Sequence, residues 1–477
     1  MTARGLRVND NVRRQMIADL DAVLTPTKER LNATVAPLLA AASVDTTRLF
    51  AEKWTCPACR NGKKKRVGCA ACGGAGQRVW LEWNPGSEKQ TKVVLYELLR
   101  LPKRTADGKL VSDESALKSL LAHDRHGVVT NLLAFAKAKT MRAIFERLTP
   151  AADGRIRTWY NVAGTETGRF SSAETFLEDA STNLQNLPLK QAARSPLYDV
   201  RRCIVPDAEN VFLYADLSQA EARVVAALSG DRQLLERWSD QDFDVHVWTA
   251  SAIFGKPVNE IASAERHLGK VARHALNYGM GWATFLANVN DDADVTLVSI
   301  TAADAKRIVS AYHRLHPNLE RWWRKVASAL DARGSLETVF GRRRTFFGRR
   351  SAERYLDQTH KEAIAFEPQS TVADLLNRGL LKYWHRFDRD ASRIWNADGM
   401  GDFTGNHRRG RLLAQVHDAV LVSVPEEFAH VEAARLKACL EEEIVVAGVS
   451  LTIPVSVEIG RTSWAALEDL DVAAAAA

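Results

Sequence analysis

Two apolar segments, each carrying an aspartate, constrain the fold of this chain more than any other feature. Residues 211–216 (VFLYAD) end in Asp216 and are typical of a buried strand. Residues 412–424 (LLAQVHDAVLVSV) are apolar and β-branched around His417 and Asp418, which predicts a β-hairpin. An ionised Asp in a buried strand is costly unless it is paired or binds a metal. A single such Asp is more often an ordinary strand-end or turn residue, but two of them predict a pair of metal ligands, because hard cations prefer carboxylates on rigid elements.

Helical periodicity covers much of the remaining chain. Apolar residues recur at helical spacing over 10–32, 88–101 and 114–149, and most of 236–335 has a helical pattern. The stretch 151–212 has no sustained period and carries Gly, Ser, Asn and Pro, which predicts strands and loops. The two aspartates are therefore predicted to lie on strands within a largely helical chain.

Length and charge exclude few classes of protein. A chain of 477 residues with 46% apolar content can bury several cores, and its length suggests about two to four domains. Lys and Arg exceed Asp and Glu by 65 − 58 = 7, which fits a polyanionic partner without proving one. No stretch approaches the roughly 20 apolar residues of a membrane span, and the N-terminus lacks the apolar core of a signal peptide. We therefore expect a cytoplasmic protein that does not use a membrane.

Four of the six cysteines form a motif of their own. Their spacing, Cys56-x2-Cys59-x9-Cys69-x2-Cys72, is that of zinc ligands, and glycines follow the last pair. Four thiolates leave no open position, so this zinc is predicted to be structural. The intervening basic run 63–66 (KKKR) fits a phosphate contact and a solvated loop about equally well.

The ordered motifs resemble those of the family A DNA polymerases, the bacterial polymerase I class. The segment 201–231 resembles motif A, whose usual core Asp-Tyr-Ser-Gln-x-Glu-x-Arg corresponds to residues 216–223 (DLSQAEAR). Residues 266–281 (RHLGKVARHALNYGMG) look like motif B, and 415–420 (QVHDAV) look like motif C. Smaller matches, in their order along the chain, are WNPGSEKQ (83–90), TGRFSS (167–172), NLQNLP (183–188), ETVFGRRR (337–344), EPQSTVADLL (367–376) and VEIGRTSW (457–464). Each motif alone is weak evidence, but their common order argues strongly against coincidence.

The resemblance implies an α+β right-hand fold with an antiparallel palm sheet, helical fingers and thumb, and the small zinc module. It also implies a phage-type enzyme without the 3′–5′ exonuclease domain, since only nine residues precede the first predicted helix. The expected boundaries are 1–50 for an N-terminal helical segment, 51–80 for the four-Cys zinc insertion, 81–150 for the thumb, 151–235 for the palm with motif A, 236–360 for the fingers with motif B, and 361–477 for the palm with motif C.

Matching the family's motifs residue by residue implies a set of site residues. Asp216 and Asp418 correspond to the ligands of two catalytic Mg²⁺ ions. In motif B, Arg266 and Lys270 share one helix face and can reach one triphosphate, although such cations more often form a solvated face. The catalytic residues are thus expected to be Asp216, Asp418 and Lys270, and the dNTP-binding residues Arg266, His246, Glu221, Gln219, His274 and Tyr278. The expected DNA-binding residues are Arg169, Asn183, Asn186, Gln369, His417 and Arg342, and for the two Asn residues local turn bonding explains the pattern nearly as well.

Three residues depart from the family's pattern. Ala419 stands where an acidic residue usually follows the motif C Asp, and we expect this to lower the rate without abolishing chemistry. His274 replaces an aromatic residue, so selection at the sugar can differ from that of the family. Leu217 replaces the motif A Tyr, a milder change.

The function implied is template-directed addition of dNTPs to a primer 3′ end, with primer-template DNA and dNTPs as partners. A separate exonuclease or other replication proteins are expected as further partners. If the chain is phage-encoded, these proteins would act together in the host cytoplasm.

Two alternatives stay open. Ala419 leaves room for a catalytically weakened, polymerase-like DNA-binding protein, against which the intact Asp216 and Lys270 argue. A single-subunit RNA polymerase shares the outline, but Glu221, which matches the family's steric gate against ribonucleotides, argues against it.

Overall fold

The computed structural model describes residues 1–472 except 2–3, 44–46, 56–68, 70–76, 175–179, 188–194, 241–242, 292–297, 348–356 and 389–409. The chain divides into two compact units. The larger comprises Met1–Arg13 and Arg147–Ala477, and the smaller comprises Arg14–Glu146.

The strands are numbered in chain order. They are β1 Leu6–Arg7, β2 Ala51–Thr55, β3 Gln77–Leu81, β4 Thr105–Ala106, β5 Lys109–Leu110, β6 Arg155–Ile156, β7 Trp159–Asn161, β8 Ser171–Ala173, β9 Asn210–Leu217, β10 Ser335–Glu337, β11 Arg343–Thr345, β12 Arg411–Val416, β13 Ala419–Pro425, β14 Glu443–Val446, β15 Val449–Thr452, β16 Val455–Gly460 and β17 Leu467–Asp469.

The α-helices are numbered in the same way. They are α1 Asp10–Ala40, α2 Glu88–Val93, α3 Glu114–Leu120, α4 Val128–Arg147, α5 Ala220–Ser229, α6 Arg232–Arg237, α7 Val245–Phe254, α8 Ser263–Leu276, α9 Trp282–Asp291, α10 Ala302–Leu315, α11 Asn318–Arg333, α12 Gln358–Tyr383 and α13 Ala429–Leu440.

A five-stranded antiparallel sheet of order β12-β13-β9-β16-β17 is the centre of the larger unit. Alternate residues of β9, from Val211 to Leu217, are buried in one core with residues of α5, α12 and α13. Tyr214 and Asp216 belong to the other set of alternate positions, so they lie on the opposite face of the sheet. The predicted strand at 211–216 and the predicted hairpin at 412–424 are both confirmed.

A second core of the larger unit packs α8 against neighbouring helices. Leu268, Ala272 and Leu276 of α8 are buried together with Tyr312 of α10 and Trp323 of α11. These three positions of α8 recur at four-residue spacing, so α8 has one buried face and leaves its other face open.

The smaller unit holds a core formed by α1, α3, α4 and the turn Val94–Leu98, together with Phe50 and Trp83. The helix predicted at 10–32 is confirmed and runs on to Ala40, whereas the pattern at 88–101 forms α2 followed by a π-helical turn, Val94–Leu98. The single helix predicted at 114–149 is wrong: α3 stops, a 3₁₀ turn follows at Leu121–His123, and α4 starts at Val128. The break occurs because Gly127 has a positive φ of 67° and Asp124 accepts hydrogen bonds from both the backbone and the hydroxyl of Thr130.

The domain boundaries expected from the resemblance stay a prediction. None of the described helices combines the length and the apolar character that crossing a membrane requires.

Candidate active site

An open cleft in the larger unit gathers the predicted catalytic and dNTP-binding residues. All nine of them line it, together with Leu217, Ser218, Ala220, Ala222, Arg273 and Asn277. They come from three places that are distant in the sequence: the end of β9 with the start of α5, the helix α7 with α8 and the two residues after α8, and the β12–β13 turn. The roles predicted for these residues stay predictions, but the structure brings every one of them to one place.

The sheet register places the two aspartates side by side. Asp216, near the end of β9, pairs with Ala419 on one side and with Ser456 on the other. Asp418 occupies the turn just before Ala419, and its carbonyl accepts a hydrogen bond from the Leu217 amide at 3.3 Å. His417, the first turn residue, has a φ of 56°, a left-handed conformation that costs an ordinary residue roughly 1–2 kcal/mol. The turn that carries Asp418 must therefore be held by its surroundings.

Burial makes both carboxylates difficult to ionise. Burial, and next the charges of Asp418 and Glu458, raise the pKa of Asp216 to about 6, although Lys270 acts in the opposite direction. Burial also raises the pKa of Asp418, and the nearby Arg169 guanidinium only partly offsets this. Two partly desolvated carboxylates with oxygen donors fit hard divalent cations, whose charge would relieve the repulsion.

Within the described ranges, no three or more His, Cys, Asp or Glu side chains are grouped to hold a metal ion. Asp216 and Asp418 are thus two carboxylates rather than a full cage. Mg²⁺ sites that handle phosphates are commonly built this way, from one or two carboxylates with water and substrate oxygens supplying the remaining ligands.

The raised pKa of Asp216 leads to a testable effect on stability. The folded-state pKa of about 6 exceeds the ordinary value of 3.8, so the ionised carboxylate destabilises the metal-free folded protein above pH 6. We expect Asp216→Asn to unfold with a free energy roughly 2–3 kcal/mol higher than wild type at pH 8. The advantage should shrink as the pH falls from about 6 towards 3.8, because the wild-type carboxyl then takes up its proton.

Denaturant unfolding in EDTA at several pH values measures this difference. Asp207→Asn is a matched control, because Asp207 precedes β9, at the far end of the strand from Asp216, and pairs with Arg155 at 2.5 Å. A variant Asp216→Asn less stable than wild type at pH 8 would contradict the expectation.

Arg169 links the acidic residues of the cleft. It lies in the loop between β7 and β8, and its guanidinium donates to Glu221 and, at 3.2 Å, to Asp418 Oδ1. The Tyr278 hydroxyl donates to the other Glu221 oxygen at 2.5 Å. Burial, then the charge of Glu221, raises the pKa of Tyr278, so this hydroxyl remains a donor. Glu221 is consequently fixed in the cleft by two donors.

The helix α8 presents a basic face to the cleft. Arg266 and Lys270, one turn apart, are exposed there, and Arg266 donates to Asp244 at 2.6 Å. One turn further along α8, Arg273 also lines the cleft but is buried, and it donates to the hydroxyl of Thr249 at 2.8 Å, with His316 Nε2 3.0 Å away. The helix is thus anchored by a buried cation while two other cations face the cleft.

Two histidines stand next to each other beside these cations. The rings of His246 and His274 are 6.2 Å apart and inclined by 35°. Burial lowers the pKa of His246 to about 3, so its imidazole is neutral near pH 7. Its Nδ1 is buried and makes no hydrogen bond to any described residue.

The conformation of Gln219 was not foreseeable from the sequence. Gln219 precedes α5 with a φ of 56°, and its Oε1 accepts a hydrogen bond from the Trp238 indole N–H at 3.1 Å. The guanidinium of Arg223 lies over the same indole, 4.7 Å from the ring centre, and donates to the Ser218 carbonyl at 3.2 Å. Trp238 belongs to no recognised motif, so only the folded chain reveals that it holds Gln219.

The six residues predicted to bind DNA lie in the larger unit but do not line the cleft. Arg342 forms a two-pronged ion pair with Asp374, and Ser172 donates to the Asn183 side chain. His417 and Asn186 are exposed, and Gln369 is half-buried on α12.

Of the four predicted zinc ligands, Cys56, Cys59 and Cys72 lie outside the described residues. Cys69 is half-buried. The strands that flank the segment, β2 and β3, pair antiparallel from Ala51↔Leu81 to Thr55↔Gln77. The two ends of the segment are therefore held together, although the zinc module itself is not shown.

Comparisons with known proteins agree with this geometry. A family model described as DNA polymerase family A matches residues 73–466. DNA polymerase I of Mycobacterium tuberculosis (strain ATCC 25618 / H37Rv) is 30% identical over 402 residues, which cover 83% of this chain and 39% of that protein. The thermostable DNA polymerase I of Thermus aquaticus is 27% identical over 389 residues, covering 79% and 41% respectively. The chain thus spans about two-fifths of the length of these curated relatives.

A solved structure shows the fold. The polymerase domain of Pol1 from M. smegmatis, in complex with DNA primer-template and dNTP, superposes with a TM-score of 0.70 at 22% identity, covering 97% of this chain and 68% of that one. This likeness confirms the expected right-hand polymerase fold. From the family match over residues 73–466, the chain belongs to DNA polymerase family A.

Proposed function

We propose that this chain is a DNA-directed DNA polymerase that adds dNTPs to the 3′ end of a primer. The observation that carries the proposal is one cleft that is lined by Asp216 and Asp418 and also by the cations Arg266 and Lys270 of α8. Carboxylates and cations in the same cleft suit a reaction that needs metal ligands and triphosphate ligands together. The names of the curated relatives support the same reaction.

In this proposal, Asp216 and Asp418 hold two Mg²⁺ ions. When bound, such ions lower the pKa of the attacking hydroxyl and neutralise the charge of the triphosphate. Arg266 and Lys270, at i and i+4 on α8, bind the phosphates, and Lys270 stabilises the negative charge that develops on the departing pyrophosphate. His246, whose imidazole is neutral and lines the cleft, is a hydrogen-bonding ligand for the same phosphates.

The other cleft residues are proposed to position the incoming nucleotide. Glu221, held by Arg169 and Tyr278, occupies the place of a 2′ substituent. Gln219, held by Trp238, borders the same pocket. Arg169, Asn183, Asn186, Gln369, His417 and Arg342 are proposed to contact the primer-template duplex.

A primer-extension assay tests the function directly. With Mg²⁺, a DNA primer-template and dNTPs, we expect templated extension, while NTPs are used poorly. Efficient use of NTPs would favour a single-subunit RNA polymerase instead. Tight DNA binding without extension would favour the weakened DNA-binding protein, which one observation supports: Ala419, directly beside Asp216 in the sheet, places a buried methyl group where the family's acidic residue stands.

His274 leads to a prediction about the 3′ side of the sugar. A histidine can hold the sugar by a hydrogen bond rather than by the packing of a larger ring, and its neighbour His246 limits the space on one side. We expect His274→Phe to change the ratio of kcat/KM for dNTP over ddNTP by roughly tenfold and to leave the dNTP-over-NTP ratio within about twofold. Single-nucleotide insertion with each substrate measures both ratios. Equal ratios in the variant and in wild type would mean that His274 only fills space on α8.

The four cysteines are proposed to bind one structural zinc. Antiparallel pairing of β2 with β3 supports this, because it brings the ends of the Cys segment together as a zinc loop requires. Elemental analysis of the purified chain should give about one zinc per molecule. Chelation should expose the thiols and lower the stability of the smaller unit, since thiolate sites commonly fold only with their metal. A zinc-free protein with four freely reactive thiols in its native state would refute the site.

The replication setting, the separate exonuclease and other protein partners, and the location of the protein remain predictions from the resemblance.

A further inference from the structure

The phenol of Tyr160 caps the edge of the central sheet beside the β12–β13 turn that carries His417 and Asp418. β12 is an edge strand, and alternate residues of such a strand direct their backbone N–H and C=O away from the sheet. Gln415 is one of these residues. The Tyr160 hydroxyl donates to its carbonyl at 2.9 Å and accepts from its amide at 3.0 Å. One side chain thus satisfies both outward backbone groups two residues before His417.

The side chain of Gln415 continues the connection into the turn. It is buried, with 3% exposure, and its Nε2 donates to the His417 carbonyl. Its Oε1 accepts from Gln185 Nε2 at 3.0 Å. The side-chain Oε1 of Gln185 accepts a hydrogen bond from the backbone N–H of Ser172 at 3.0 Å. The backbone N–H of Gln185 donates to the Ser172 hydroxyl, also at 3.0 Å. Every polar group of Gln415 therefore has a partner.

Both ends of this network originate from one hairpin. Tyr160 on β7 lies directly opposite Ser172 on β8, so the hairpin reaches the backbone of Gln415 and, through Gln185, its side chain. Arg169, in the loop of the same hairpin, donates to the carboxylate of Asp418. Burial raises the pKa of the Tyr160 phenol to about 12, so the hydroxyl can donate and accept at once over the working pH range.

These contacts act on a turn that is otherwise unfavourable. The left-handed φ of His417 sets the direction of the peptide group between His417 and Asp418. The side-chain Nε2 of Gln415 donates a hydrogen bond to the carbonyl of that peptide group. Resting on the proposed polymerase function, we propose that Tyr160, acting through Gln415 and together with Gln185, is a positioning residue that fixes the place of the Asp418 carboxylate for metal binding.

Tyr160→Phe tests this by removing one oxygen atom and keeping the ring. If the hydroxyl positions Asp418, kcat for nucleotide insertion should fall by about tenfold, and the Mg²⁺ concentration for half-maximal rate should rise several-fold, since small misplacements of a reacting group cost on that order. The KM for dNTP and the Kd for primer-template should stay within about twofold of wild type, because neither ligand site changes. A purely structural role would not shift the Mg²⁺ dependence in this way.

Three further variants make the outcome decisive. Gln185→Leu removes the second support without touching Tyr160, and decides the matter if Tyr160→Phe does not fold. If the two supports act through Gln415 on one turn, the double variant should lose less than the product of the two single losses. Tyr96→Phe is the matched control, because it also removes a phenol that donates to a backbone carbonyl, that of Val111, in the smaller unit.

Wild-type kcat and Mg²⁺ dependence in both Tyr160→Phe and Gln185→Leu would overturn the proposal. So would a change confined to the KM for dNTP or the Kd for DNA, because the hydroxyl would then act on ligand binding. Failure of the wild-type chain to extend any primer is a separate result, which would reject the proposed function itself.

Discussion

Replacing Asp418 with alanine is expected to reduce nucleotide addition by roughly 10³-fold or more while primer-template binding stays near the wild-type level. A carboxylate that holds a catalytic metal stabilises charge in the transition state, and loss of such a group costs at least on this order. DNA affinity depends mainly on cations that contact phosphates, and Asp418 supplies none of them. Asp216→Ala should behave in the same way, because the register places both side chains at one end of the sheet.

Single-turnover insertion and DNA-binding titrations separate the two effects. Asp418→Asn keeps the shape of the side chain and should be nearly as slow as Asp418→Ala, which would assign the loss to charge. Asp207→Ala is the control, since it removes a partly buried, ion-paired Asp away from the cleft. If Asp418→Ala extends primers at the wild-type rate, the assignment of the two metals to these aspartates is wrong.

Glu221→Ala is expected to increase the use of NTPs relative to dNTPs by about 10- to 200-fold, the range that one small change in pocket volume produces. The physical reason is that Glu221 is not free to move aside. Arg169 donates to one of its oxygens, and Tyr278 donates to the other at 2.5 Å. If the sugar binds beside Glu221 as proposed, a carboxylate held from both sides leaves no room for a 2′-hydroxyl, whereas alanine does.

The ratio of kcat/KM for dNTP and NTP, measured for each variant, gives the discrimination. Tyr278→Phe removes only one of the two bonds to Glu221 and should relax the ratio less than Glu221→Ala. Glu236→Ala, at an exposed position on α6 that does not line the cleft, should leave the ratio unchanged. Unchanged rejection of NTPs in Glu221→Ala would remove the gate assignment and reopen the question of the preferred substrate.

Individual strands and helices, and the residues that line the cleft, could be predicted because they depend on short-range sequence patterns. The strand ending in Asp216 and the hairpin around Asp418 follow from apolar, β-branched runs, and the face shared by Arg266 and Lys270 follows from helical spacing. The break between α3 and α4 lies at residues 123–127 (HDRHG), which contain no apolar residue, and the prediction of one helix ran across this gap. The positive φ of Gly127 and the hydrogen bonds that Asp124 accepts from Thr130 separate the two helices there.

What the sequence determined by itself is therefore which side chains meet in the cleft where we propose that the chemistry takes place: two aspartates in apolar strands and spaced cations on a helix, within the ordered motifs of a polymerase family. The tertiary structure alone decided which residues hold those side chains in place. The contacts of Arg169 with Asp418, of Trp238 with Gln219 and of Tyr160 with Gln415 join residues separated by 249, 19 and 255 positions. Such pairs leave no periodic trace in the sequence, because a hydrogen bond depends on the distance and angle between two groups, and the packing of the whole unit sets both.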